Sequence, residues 1–322
     1  MPQLTTQKAS TRPDIAESMM EFDLIANNAK MIGMELFPVF DAASQAGEFG
    51  RIPIEQLLEE SKTSRASGSS YGRGEYEFED DFYATKENGW EEPVDERDKN
   101  IYSEYFDAEV VAAERALSKI MINQEKRVSD LTISNASITG SAATAVYSNK
   151  SAATPIDDVE TAVQAIYDRT GVWPDTLCLS YKLFRYLRQT DQVLNNISAS
   201  GAGDRIRARD ITTQMLAEVF DLDKILIAGG SRNTAAKGQD VAVAQIWDKT
   251  RMFVCKSADG MDLKDPCIGR TFHWSQDGST IGGTVESYWE ENKRSDIYRV
   301  RHETHEKLIY AELGQRITGC LA

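Results

Sequence analysis

The stretch FDAEVVAAERALSKIMINQEKRV, from Phe106 to Val128, decides how this chain is read. It holds neither Gly nor Pro, and Phe106, Val110, Ala113, Leu117, Met121 and Val128 recur at the three- and four-residue spacings that line one face of a helix. The pattern predicts one unbroken helix over 104–128, a rod of roughly 37 Å at the usual rise per residue.

Upstream the text does not look like a core. Between Glu75 and Lys99 there are eleven acidic residues and three basic ones, a local balance of −8 within a net charge of −15. Ahead of it runs SKTSRASGSSYGRG, 61–74, rich in Ser and Gly, between short alternating runs carrying Ile52 and Ile54 on one side and Tyr76, Phe78 and Phe82 on the other. This predicts a two-armed projection over 47–90 with a flexible tip, which needs a partner surface because segments of this length without a core of their own are usually functional or disordered. Lys62, Arg65, Tyr71 and Arg73 are its candidate contact residues. Residues 1–46 read as an arm, with a helix over 14–25 and the apolar run MIGMELFPVF, in which Pro38 stops any helix.

Downstream, LTISNASITGSAATAVYSNKSAATP, 131–155, reads as strand or loop, and the text then becomes compact α/β over 155–270. Thr154 and Pro155 start a helix with Asp157 and Asp158 in its first turn, Val159, Ala162, Val163, Ile166 and Tyr167 on its buried face, and Gly171 at its end. A strand TLCLS, a helix YKLFRYLRQT, a Gly-containing loop, a helix ITTQMLAEVF and strands KILIA, VAVAQIW and RMFVCK follow. The tail, with IYRVRHETHEKLIYAEL, alternates like one long strand and its return, and is expected to pair beside the long helix.

Composition narrows the function. A hydrophobic fraction of 41% with 27% charged residues suits a folded, soluble protein of about two domains, and no segment reads as a signal peptide or membrane span. Cys178, Cys255, Cys267 and Cys320 lack the close pairing of a zinc or redox site. The net charge of −15 argues against a nucleic-acid reader, whose affinity comes from clustered Lys and Arg. His302 and His305 are three apart, and on a strand such residues face opposite sides, so they cannot share a metal ion. KILIAGGSRN leads into a strand instead of a helix, which makes its glycines a turn and not a phosphate site. Arg205, Arg207 and Arg209 alternate in GDRIRARD, so an extended backbone would present three guanidinium groups on one face to an acidic partner. The alternative is a solvated loop with one or two surface ion pairs. No catalytic set or cofactor motif can be nominated.

The order of parts carries a resemblance. An arm ending in LFPVF, a tip SRASGSSYGRG, then WEEPVDERD, FDAEVVAAERALSKIMINQEKRV, PIDDVETAVQAIYDRTGVWPDTLCLSYKLFRYL, ITTQMLAEVFDLDKILIAGGSRN, VAVAQIW and GRTFHW together resemble the tailed-phage major capsid proteins of the Hong Kong 97 type over nearly the whole chain. The resemblance implies an α+β fold with an N-terminal arm (1–46), an extended loop (47–100), a peripheral domain with a long spine helix (101–154), an α/β axial domain (155–270) and a return to the peripheral domain (271–322). It further implies a non-enzymatic subunit that assembles with copies of itself into hexamers and pentamers of an icosahedral virion shell. That shell, built in the host cytoplasm, would enclose double-stranded DNA without sequence-specific binding and without cofactor or membrane. Portal and scaffolding proteins are implied partners, with decoration proteins a further class. Because the arm-like text begins within the first 30 residues, any scaffold is expected to be a separate protein. Lys62, Arg65, Tyr71, Arg73, Arg205, Arg207 and Arg209 become the candidate inter-subunit contacts. The competing readings are an encapsulin-like nanocompartment shell, which shares the architecture, and a metal-dependent enzyme built on His302 and His305.

Overall fold

The computed structural model describes residues 10–11, 31–51, 53–60, 63–74, 79–102, 107–199, 207–260 and 265–322. The helix expected over 14–25 and the side chains of Ile52, Tyr76, Phe78 and Phe106 lie outside them.

The spine helix runs Ala108–Thr132, four residues past Val128. Asp107 caps it by accepting the Glu109 N–H at 3.0 Å. Its buried face includes Ala112, Ala113, Ala116, Leu117, Ile120, Met121 and Val128, and the three alanines let the backbone lie close to the sheet beneath.

That sheet is organised by the 14-residue strand Ser295–Leu308. One edge pairs antiparallel with Lys86–Asp95, from Ser295↔Asp95 to Thr304↔Lys86. The other edge is shared by Thr284–Glu290 along its first half and Gly269–His273 along its second. Side chains alternate across this strand as the pleat requires. Tyr298 and Val300 enter the core under the spine helix with Val285, while Thr304 and Glu306 bond to Arg127 on that helix. Glu303, His305 and Lys307 point to the opposite side, where the projection begins.

The second sheet has five strands in the order Gly140–Ala142, Gly314–Thr318, Met252–Cys255, Thr176–Ser180, Lys224–Ala228. Leu177, Leu179, Met252, Val254 and Ile317 face helices Pro155–Thr170, Tyr181–Leu187, Asp191–Ala199 and Thr213–Phe220. Cys178, Leu226, Ala228, Phe253 and Cys255 face the C-terminal end of the spine helix, with Trp247, Ile133 and Val128. The two sheets are thereby joined through one apolar layer.

Three local expectations change. The loop expected after YKLFRYLRQT contains the helix Asp191–Ala199, held to the core by Val193 and Ile197, one turn apart. Ile54 does not continue an alternating strand; it starts the helical turn Ile54–Leu57 directly after Pro53. Residues after 271 do not all return to the peripheral sheet, because Gly314–Thr318 lies inside the α/β sheet between Met252–Cys255 and Gly140–Ala142. An α/β unit bounded at 155 and 270 therefore omits two strands of its own sheet.

Candidate inter-subunit surfaces

The projection rises from the side of the long strand turned away from the spine helix. Ala46–Arg51 pairs antiparallel with Glu79–Ala84, in register from Ala46↔Ala84 to Arg51↔Glu79. Its base is anchored at four points. Tyr83 stacks on Phe272 with ring centroids 4.6 Å apart and planes 3° from parallel. Lys307 pairs with Asp81, donates to the Phe82 carbonyl at 2.6 Å and lies 4.7 Å from the Phe82 ring. Ala84 N–H donates to His305 Nδ1 at 3.2 Å, and Arg51 donates to the Ile309 carbonyl at 2.5 Å.

Beyond this anchor the tip is bare. Every residue from 63 to 74 is exposed, and Gly68, in the left-handed region at φ +84°, has no atom near the position a Cβ would take. Two candidate contact residues meet here: the Arg65 guanidinium lies 4.6 Å from the Tyr71 ring centroid. Arg73 lines a shallow hollow with Tyr71, Glu59 and Glu60. Lys62 lies outside the described residues.

The second candidate group is not brought together as expected. Arg205 lies outside the described residues. Arg207 precedes the 3-10 turn Ala208–Asp210, and Arg209 within that turn pairs at 3.3 Å with Asp210 while remaining 73% exposed. A turn of this kind rotates successive side chains, so Arg207 and Arg209 do not share the face of an extended backbone. The pair with Asp210 is a surface contact of the weak kind.

Many of the acidic residues around the projection already have partners in the chain. Glu92 accepts from Lys119 at 2.6 Å and lies 3.7 Å from Arg115, Glu96 pairs with Arg294 at 2.8 Å, and Glu91 lies 3.8 Å from Arg299. Asp81 is held by Lys307 and Glu79 by Arg51. Burial alone would raise the pKa of Glu92, but hydrogen bonds from Lys119 and Trp90 and the charge of Arg115 outweigh it and hold the carboxyl below its ordinary value. Much of the acidity read from sequence thus fastens the projection and the spine helix to the sheet.

The same strand turns His302 and His305 to opposite faces of the sheet. His302 is fully buried on the helix side with no well-formed hydrogen bond to either ring nitrogen, although the backbone of Ile281 lies near. Burial, reinforced by the charge of Arg127, lowers its pKa to about 4. His305 faces the projection, its pKa lowered by burial and then by Lys307. Among the described residues no group of three or more His, Cys, Asp or Glu is placed to hold a metal ion, and no helix is long and apolar enough to cross a membrane.

Glu125 was not singled out in the sequence, yet it joins three parts of the molecule. It is 3% exposed, and its carboxylate accepts N–H bonds from Ile32 at 2.9 Å, Gly33 at 2.7 Å and the Trp247 indole at 2.5 Å. Arm, spine helix and α/β domain meet at this one side chain. Gly33 is required by the approach, since a Cβ there would sit 2.6 Å from Glu125 Oε2. The available signal was a carboxylate interrupting the apolar stripe between Met121 and Val128.

A spine helix across a sheet, a projecting loop anchored at its base and an α/β domain with which they share a core define the Hong Kong 97-type capsid fold. In sequence the chain is similar to the major capsid protein of Burkholderia phage BcepMu, with 24% identity over 207 residues that cover 62% of this chain and 64% of that one, just under two thirds of the relative's length. In structure it is similar to a phage-related protein from Bordetella bronchiseptica RB50, with 20% identity and a TM-score of 0.66 over 98% of this chain and 99% of that one. It is also similar to the capsid structure of the cyanophage P-SCSP1u, with 9% identity and a TM-score of 0.59 over 91% and 89% of the two chains. No family model matches the sequence.

Proposed function

We propose that this chain is a major capsid protein, a structural subunit without catalytic activity, and that copies of it close into the icosahedral head of a tailed phage around double-stranded DNA. The observation that carries the reading is the projection: a chain with the capsid fold extends an anchored two-stranded ladder whose tip contributes nothing to its own core. Such an element has a use only against another surface, and in a closed assembly each copy supplies that surface to its neighbour. Contacts that are weak singly then act together, because a subunit held by several neighbours releases only when all let go. The net charge of −15 suits a wall that encloses DNA without gripping it. Hexamers and pentamers of the chain, portal and scaffolding proteins, and assembly in the host cytoplasm belong to the same proposal.

Deletion of residues 62–73 tests it. The truncated subunit is expected to keep its circular dichroism and thermal transition while losing sedimenting particles under assembly conditions. Unchanged particles would remove the assembly role from the projection, and a misfolded subunit would place the tip in the core. Mass spectrometry of native particles separates a phage head from a nanocompartment: head-assembly proteins are expected, and a single co-purified enzyme would favour the shell of an encapsulin-like compartment.

A further inference from the structure

We infer that the α/β unit carries a contact surface for the phosphate backbone of duplex DNA, at the end of its sheet where strands Thr176–Ser180 and Lys224–Ala228 finish. The inference rests on the phage-head reading above and adds to it which face of the subunit meets the packaged DNA.

Two stretches distant in sequence assemble this surface. Asp and Glu supply 51 of the 322 residues, yet residues 176–190 contain none and hold Lys182, Arg185 and Arg188, and residues 224–239 contain none and hold Lys224, Arg232 and Lys237. The two strands run parallel, with Ser180 beside Ala228 in the register. Both segments therefore leave the sheet at the same end. The first turns directly into helix Tyr181–Leu187, and the second enters the hairpin that pairs Ser231–Asn233 with Val243–Gln245. Lys182 and Arg185 are three apart on the helix, which makes them neighbours on one face. Both are exposed, as are Arg232 and Lys237 on the hairpin, and Tyr181 beside them is 51% exposed.

These cations are not engaged in internal ion pairs. Among the described residues Lys182, Arg185, Arg188, Arg232 and Lys237 have no carboxylate within ion-pair distance, whereas Lys224, at the opposite end of its strand, pairs with Asp259 at 3.0 Å. Asp175, which precedes the first stretch, is held by Lys256 at 2.7 Å. Clustered, exposed and unpaired Lys and Arg are what a phosphate backbone attracts, and Tyr hydroxyls also donate to phosphate oxygens. A duplex carries one charge per roughly 1.7 Å of its axis, so the face from Lys182 to Arg188, roughly 9 Å long, meets phosphates in any register. Contacts of this kind read no bases. Carboxylates elsewhere in the chain are screened beyond about 10 Å at 0.1 M salt, so the net charge of −15 does not cancel a local patch. A contact of about three charges is weak and salt-sensitive, which leaves DNA able to move along the wall.

The full-length chain, kept unassembled, is titrated into a fluorescein-labelled duplex, with binding read by fluorescence anisotropy at several salt concentrations. Three phosphate contacts give a slope of about −2.7 for log affinity against log salt, roughly a 40-fold loss between about 50 and 200 mM. Two duplexes of unrelated sequence are expected to bind within about twofold of each other. Lys182→Glu with Arg185→Glu is expected to weaken binding about tenfold or more and to bring the slope to about −1. Lys86→Glu with Arg97→Glu makes the same change in net charge at exposed cations of the peripheral domain, and is expected to leave affinity and slope unchanged. Should circular dichroism show that the reversal disturbs the fold, Lys182→Gln with Arg185→Gln makes the same comparison with neutral side chains. Absence of binding by the unaltered chain at low salt, or equal losses in the two pairs of substitutions, would overturn the surface. A reversed variant that keeps its affinity for DNA but no longer forms particles would also overturn it, and would make this face a contact between copies. Patch-dependent DNA binding without closed particles would support the surface and count against the shell, and closed particles without DNA affinity would do the reverse.

Discussion

At the scale of single residues, buried polar side chains hold the parts together. Glu125 interrupts an apolar stripe but was not singled out from the sequence, because its partner Trp247 is 122 residues away and no local pattern announces a contact of that range. Glu125→Ala strands three buried donors, so the isolated subunit is expected to lose about 3 kcal/mol or more in urea denaturation, with Glu125→Gln intermediate because it keeps one acceptor oxygen. A loss below about 1 kcal/mol for the alanine variant would remove its joining role. His302 is expected to make the subunit acid-sensitive. The unfolded chain takes up a proton at His302 near its ordinary pKa of 6.5, the folded chain only near 4, so its contribution to stability is complete above 6.5 and is lost as pH falls to about 4. At about 1.4 kcal/mol per pH unit the loss reaches roughly 3 kcal/mol. His302→Leu is expected to flatten that part of the stability profile, whereas His305 acts in the same direction and is present in both proteins. Equal slopes in the two proteins between pH 4 and 6.5 would contradict this.

At the scale of elements, local chemistry predicted what local chemistry controls. The spine helix was legible because its stripe is long and free of breakers, and the end of helix Pro155–Thr170 because Gly171 takes the left-handed φ of +66° that a helix stop requires. Asp191–Ala199 was missed because Val193, Leu194 and Ile197 are too few apolar markers among its polar residues, and their burial depends on neighbours far along the chain. The alternation of Arg207 and Arg209 misled for a related reason: period two is informative only where a strand pairs, and Ala208–Asp210 has no ladder to hold it extended. Strand Gly314–Thr318 lies between Met252–Cys255 and Gly140–Ala142, a long-range pairing that no sequence window contains. A fragment spanning 155–270 would leave an edge of Met252–Cys255 open and expose the fully buried Met252, Phe253 and Val254. It is expected to aggregate or melt without cooperativity, while addition of residues 139–154 and 309–322 restores a cooperative transition. A sharp transition in the shorter fragment would show that the two outer strands are dispensable.

At the scale of the whole molecule, the order of parts was legible while the receiving surfaces were not. The sequence marks Arg65, Tyr71 and Arg73 as residues with no core to join, but it does not show that Glu79, Glu92, Glu96 and Asp81 of the acidic run beside them are paired with Arg51, Lys119, Arg294 and Lys307. The central claim is that this chain closes on itself into a shell, and electron microscopy of the expressed full-length protein under assembly conditions measures that directly. Closed particles of uniform diameter with pentameric and hexameric clusters are the expected result. A population that stays monomeric, or grows only into open sheets and aggregates while the subunit remains folded, would contradict it.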